Sequence, residues 1–161
     1  MSTAITIRQK IPSDGSKLKK IIDLSFSWFL GFFAAHSITE EGPVLVAETQ
    51  ATVVGFAKPI EFKVGGNKFG CILWVAVQPE FRRRGVATAL IKTGTQRLKQ
   101  EGAKAVFASV QRRNIASLTV FTNQGFSKKS FADLWRLFNW RVFQFYGDIW
   151  LAPGEIVLMH D

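Results

Sequence analysis

The 161-residue sequence contains a single cysteine, Cys71, and two histidines, His36 and His160. A lone thiol cannot close an internal disulfide, and so few soft ligands cannot build a structural zinc site. No metal is therefore expected, and a reducing, cytoplasmic setting fits. Long apolar runs are also missing. The nearest thing to a leader is Lys17, Lys19 and Lys20 followed by Ile21 to Ala35. Asp23, Ser25 and Ser27 interrupt that run, and a strand-like segment precedes it. It stays below the ~18 to 20 uninterrupted apolar residues that span a bilayer, so no membrane partner is expected. Neither the Gly-Lys-Ser/Thr ending of a P-loop nor a GxGxxG fingerprint occurs. Internal repeats, low-complexity tracts and inter-domain linkers are absent too.

What is present is apolar and basic. Hydrophobic residues make up 47% of the chain, with 15 Phe and five Trp, which is ample for the core of one domain spanning residues 1–161. The net charge is +9. Much of the excess sits in Arg82-Arg83-Arg84, Arg112-Arg113 and Lys128-Lys129. Clustered positive charge attracts polyanions, and a phosphorylated cofactor satisfies it as readily as nucleic acid does.

Ile5-Thr6-Ile7 predicts a short strand, and Ser13-Asp14-Gly15 offers N-cap chemistry for a helix over about 16–35. Leu18, Ile21, Ile22, Phe26, Phe29 and Phe33 recur at spacings of three and four, with Trp28 and Phe32 widening the stripe; such breadth predicts core packing. Val44 to Glu48 and Val53 to Phe62 read as antiparallel strands. Gly65-Gly66-Asn67 marks a hairpin into a strand from Phe69 to Val77, ended by Pro79. A helix follows from Gly85 to about Gln100, stopped by Gly102, and then a strand from Ala105 to Val110. Asn114 can cap a helix from Ile115 to Asn123, with Gly125 as its stop. Asp133 to Tyr146 has near-helical apolar spacing and fits either a helix or two aromatic-rich strands. Pro153-Gly154 turns the chain into a last strand, Glu155 to His160.

The segment from Gln78 through Arg82-Arg83-Arg84-Gly85-Val86-Ala87-Thr88, placed between a strand and a helix, is an anion cradle. The first turn of a helix presents N–H groups without intrahelical acceptors at the positive end of its dipole. Gly85 lets backbone approach phosphate, and Ala87 keeps the next approach uncluttered.

This segment resembles motif A of the GNAT (Gcn5-related) family, Gln/Arg-x-x-Gly-x-Gly/Ala, met here by Arg82, Gly85 and Ala87. The family's motif B is met in order by Asn114, Ser117, Phe121, Gly125 and Phe126, and the resemblance covers roughly residues 4–131. It implies an α+β (mixed α/β) acyl-CoA N-acyltransferase fold. In that fold a mostly antiparallel central sheet, flanked by helices, splays between the strands ending at Val77 and Val110, and the gap holds acyl-CoA. By the same resemblance, Val75 and Val77 meet the pantetheine arm. The pyrophosphate falls on Arg83, Arg84, Gly85, Val86, Ala87 and Thr88, beside Arg82, while Asn114, Ser117 and Phe121 face the cofactor.

The implied reaction moves an acetyl group from acetyl-CoA to a primary amine of a small molecule or protein by direct attack on the thioester. Many family members place a tyrosine acid at the motif B aromatic; here Phe121 has no hydroxyl. The position of a strand base falls on Cys71, read as a small buried residue, which leaves Glu61 as the nearest carboxylate able to act through water. His36, Glu40 and Glu41 lie where the family binds its acceptor. A cofactor-binding module without catalysis and an RNA-directed acyltransferase are the alternatives, with nucleic acid the weaker partner. The aromatic tail, Trp135 to Trp150, suits either a pocket lid or a homodimer contact.

Overall fold

The computed structural model describes residues 4–161. The strands are β1 (Thr6–Gln9), β2 (Leu45–Thr49), β3 (Thr52–Val64), β4 (Asn67–Val77), β5 (Val106–Gln111), β6 (Ser127–Lys129) and β7 (Glu155–His160). The α-helices are α1 (Gly15–Ser25), α2 (Trp28–Ser37), α3 (Val86–Gln100), α4 (Ile115–Asn123), α5 (Phe131–Phe138) and α6 (Val142–Asp148). The strand order is β1-β2-β3-β4-β5-β7-β6. Pairing is antiparallel for β1–β2, β2–β3, β5–β7 and β6–β7, and parallel for β4–β5. This is the mixed, mostly antiparallel open sheet with flanking helices that the sequence predicts.

The chain forms two compact units: one ends at Pro59 and adds Trp74–Gly94, the other comprises Ile60–Leu73 and Thr95–Asp161. In the first unit, Leu18, Ile21 and Ile22 of α1 pack with Val46, Val53 and Phe56, while Val77, Val86 and Leu90 form a second cluster with Leu45, Val54 and Ala57.

Two expectations for this unit change. The predicted single helix breaks at Phe26 and Ser27, which are extended (φ −124°, ψ 152° and φ −58°, ψ 158°). Phe26 leaves the helix to pack edge-on against Trp74, at 5.3 Å between ring centroids. The broad aromatic stripe is not core: Trp28 is 85% exposed, and Phe29 and Phe32 also face outward. Gly31, Ala34 and Ser37 are the buried face of α2, and a Cβ on Gly31 would lie 3.4 Å from the side chain of Ile22. Small residues let the two helices approach closely, and the large ones are left outside.

Asp14 is also used differently from the predicted cap. Its carboxylate accepts from both Arg8 terminal nitrogens (2.7 and 3.0 Å) and from the Ile11 N–H (2.9 Å), while Arg8 Nε donates to Glu48 (2.9 Å). The Arg8 guanidinium holds the buried Asp14 carboxyl below the usual range, against an opposing effect of burial.

The second unit packs around Phe69, Phe107, Phe138 and Phe145. The 133–146 segment is helical rather than strand. Ser130 and Asp133 form a reciprocal cap for α5, with the Ser130 Oγ accepting from the Asp133 N–H and the Asp133 carboxylate accepting from the Ser130 N–H. Leu134 and Phe138, then Val142, Phe145 and Ile149, present the buried face.

Candidate functional site

The phosphate-loop candidate lies within the first unit. β4 ends at Val77, and Gln78 anchors the exit by donating from its N–H to Val54 O (2.8 Å) and from its side-chain amide to Val53 O (3.1 Å). A 3-10 turn over Pro79–Phe81 follows. Arg82 then folds back, its Nε donating to Val77 O at 3.1 Å. Arg82 is therefore a clamp on the loop as well as a charge. Arg83 and Gly85 both have positive φ, +58° and +81°. This pair of left-handed residues turns the chain so that Val86 can start α3, where the Ala89 N–H bonds Gly85 O at 2.9 Å. By helix geometry the N–H groups of Val86, Ala87 and Thr88 have no intrahelical acceptor. A Cβ placed on Gly85 would meet nothing within 4 Å, so open space lies over the turn.

Charge and burial divide the work within the loop. Arg82, Arg83 and Arg84 are exposed, and the Arg84 guanidinium lies 5.4 Å above the Phe81 ring. The side chains of Val75, Val77, Val86 and Ala87 pack in the apolar cluster, which leaves their backbone groups as the atoms available to a ligand. Sequence reasoning missed Gly55, which holds this arrangement in place. A Cβ there would come within 2.8 Å of Ala76 O and 3.2 Å of Val86, so only glycine lets α3 begin this close to β3. The signal was a glycine inside a strand pattern.

In the second unit, Asn114 caps α4 as predicted, its Oδ1 accepting from the Ser117 N–H at 3.1 Å. Asn114 itself is exposed. Phe121 is 5% exposed and packs edge-on against Phe126 at 5.0 Å. Glu61 pairs across the β3–β4 hairpin with Lys68 at 2.6 Å. Cys71 is fully buried, and burial pushes its thiol far up, with Glu155 adding to the effect. It stays a protonated core residue.

His36 and Glu40 stand together in the first unit, Nε2 to Oε1 3.3 Å, both exposed at the end of α2. Glu40 also lines an open depression of about 370 Å³ with Lys10, Ile38 and Val44; His36 does not line it. Beside Gly42 of this depression lies Lys58, only 2% exposed, with its ammonium donating to Glu41 O at 3.2 Å. Burial lowers its proton affinity, partly offset by Glu40 and reinforced by Lys10. Among the described residues no His, Cys, Asp and Glu cluster has the makings of a metal site, and no helix is long and apolar enough to cross a membrane.

The profile of the Acetyltransferase (GNAT) family matches residues 14–126, a span that contains the loop and the α4 cap. The chain belongs to the GNAT family. It is 28% identical over 106 residues to an N-alpha-acetyltransferase of Sulfurisphaera tokodaii, which covers 60% of this chain and 64% of that protein. The chain spans between 31% and 64% of the length of the curated relatives it matches. Among solved structures, a GNAT-family protein from Desulfovibrio desulfuricans superposes with a TM-score of 0.75 at 16% identity, covering 98% of this chain and 99% of that one. The PaiA N-acetyltransferase of Thermoplasma acidophilum, solved with coenzyme A, superposes with a TM-score of 0.68 at 13% identity, covering 98% and 99%. At these identities the superpositions establish the fold.

Proposed function

We propose that this GNAT-family chain is an acyl-CoA-dependent N-acyltransferase that moves an acetyl group from acetyl-CoA to a primary amine on a small molecule or protein. One observation carries the reading: at the start of α3, the left-handed residues Arg83 and Gly85, the latter with open space beside it, lead into N–H groups without intrahelical acceptors among three exposed arginines. A pyrophosphate supplies the acceptors and charge that such a cradle lacks. The donor contacts are assigned to Val75 and Val77 backbone, Arg82, Arg83, Arg84, Gly85, Val86, Ala87 and Thr88, and, on family grounds, to Asn114, Ser117 and Phe121. His36 and Glu40 are assigned to the acceptor amine.

Bound acetyl-CoA supplies an electrophilic carbonyl and a thiol leaving group. The chain's residues hold that donor by backbone hydrogen bonds, and the amine must arrive neutral. Phe121 offers no proton, so the sulfur departs as its anion, tolerable for a thiol of pKa about 8.5. Glu61 can take the amine's proton through water only by giving up part of its pairing with Lys68.

That pairing, and the buried Phe121, favour a second reading in which the chain binds acyl-CoA without turning it over. Calorimetric titration of the purified chain with acetyl-CoA tests what both readings share. A saturable site of about one donor per chain is expected, and a folded protein that takes up no donor would overturn them together.

A further inference from the structure

Two polar groups near the break between α1 and α2 have nothing to bond. The Trp74 indole nitrogen and the Ser25 hydroxyl are buried and without a hydrogen-bond partner. Groups of this kind cost free energy unless water or a ligand satisfies them. Trp74 stands on β4 beside Val75, whose backbone is assigned to the donor, and successive strand residues face opposite ways. Val75 and Val77 pack in the cluster that holds the start of α3, whereas Trp74 and Ala76 pack in the cluster that holds α1. The indole therefore lies on the side of β4 turned away from the phosphate loop, where an acceptor meets a donor held from the other side. Its ring neighbour there is Phe26, edge-on at 5.3 Å, which belongs to the extended break and to neither helix. An aromatic ring is a weak substitute for an oxygen acceptor.

Protonation and charge narrow the acceptor further. Glu61 is tied to Lys68, burial keeps Cys71 a thiol, and Phe121 has no hydroxyl. None of these three positions has a base to spare, so the amine must lose its proton to water before it reacts. At about pH 7.5 roughly a quarter of peptide α-amines are neutral, against about one in a thousand lysine side chains. The net charge of +9 also repels polycationic acceptors. An indole N–H only donates, so Trp74 recognises an oxygen of the acceptor and not its nitrogen.

We propose that the acceptor is the α-amine of a peptide, and that Trp74 positions it by donating to the carbonyl oxygen of the first residue. An α-amine combines low basicity with an adjacent carbonyl; an alkylamine has neither. The amine nitrogen bonds to the thioester carbonyl carbon, the C–S bond breaks, the sulfur leaves with the electron pair as a thiolate, and the proton displaced from nitrogen passes to water. About 12 Å of helix rise separate Trp28 from His36, a length that about four extended residues span, so His36 and Glu40 meet the peptide beyond its reacting end. The inference rests on the acyltransferase reading.

The test follows labelled acetyl-CoA into two peptides of one sequence, one with a free α-amine and an acetylated lysine, the other with an acetylated terminus and a free lysine. Once neutral, lysine is the better nucleophile, which offsets part of its roughly two-hundredfold deficit in neutral amine, so kcat/KM should favour the α-amine at least about tenfold. Trp74→Phe keeps a ring and removes the N–H. It should raise KM for the peptide about three- to tenfold, with kcat within about twofold and the Kd for acetyl-CoA unchanged. In proton–nitrogen correlation spectra, the indole signal missing from Trp74→Phe should move when the native protein is titrated with the α-amine peptide, and stay in place with butylamine. Circular dichroism confirms that the variant is folded. Equal or faster transfer to the lysine overturns the proposal and leaves the acyltransferase reading standing. So does an unchanged KM in folded Trp74→Phe, or an indole signal that does not move while the peptide is turned over. Transfer to no amine at all overturns both.

Discussion

Replacing Gly85 by glutamate should abolish acetyl-CoA binding, and replacing it by alanine should not. The contrast separates two costs that coincide at this residue. Any L-residue held at φ +81° is strained by about 1 to 2 kcal/mol, a cost to the fold that both variants bear. A 161-residue chain should answer with a melting point lower by roughly 2 to 8 °C. Sterically the Cβ is harmless, since nothing lies within 4 Å of it. The glutamate adds a negative charge where the pyrophosphate is placed. At ~5 Å and an effective dielectric of about 20, that repulsion is roughly 3 kcal/mol per phosphate charge. The Kd should therefore rise at least about a hundredfold for glutamate and stay within about tenfold for alanine. Calorimetry on both variants, each shown folded by its melting curve, reads the difference. Equal weakening by the two substitutions would refute the phosphate assignment and leave only a strained turn.

Arg8→Ala should destabilise the chain by about 3 kcal/mol in chemical denaturation, because it strands the buried Asp14 carboxylate. As the folded Asp14 pKa is depressed, the native pair's contribution is present above about pH 4 and is lost as pH falls through the folded value; Arg8→Ala should flatten that acid limb. Lys58→Met should raise stability at pH 7 by about 1 kcal/mol, since a buried ammonium with one acceptor costs more than the methyl that replaces it. The folded Lys58 pKa is lowered, so native stability should climb as pH rises from that value toward about 10.4, and the methionine variant should lose this climb. If the chain turns over, kcat/KM should rise with pH through the ionisation of the acceptor amine with no descending limb, because Phe121 cannot act as an acid. A fall at high pH in the native enzyme would reveal another proton donor.

Features set by local chemistry were legible in the sequence. The Asn114 cap, the Gly65-Gly66 hairpin, the α3 start at Gly85 and the last strand each depend on residues within a few positions of one another, and each stands where the pattern placed it. Features decided by distant partners were not. Asp14 had the right identity for a cap, but Arg8 and Glu48 come from neighbouring strands to claim that corner. Periodicity marked α2 as apolar without saying which side faced inward; contact with α1 favoured glycine and alanine and turned Trp28 and Phe32 out. The break at Phe26 likewise follows from Trp74, nearly fifty positions away in the chain. For the site, the loop residues were readable because their role is carried by backbone and charge. Glu61 was chosen as the nearest carboxylate on a neighbouring strand, and its partner Lys68 became evident only in the folded chain.

The most direct test of the central claim is to incubate the folded chain with isotopically labelled acetyl-CoA and a panel of primary amines, both small molecules and peptide N-termini, and follow label into amide by mass spectrometry. Enzyme-dependent amide formation that Gly85→Glu abolishes is the predicted result. Saturable donor binding with no label transferred to any amine would contradict it and leave the acyl-CoA-binding module as the function.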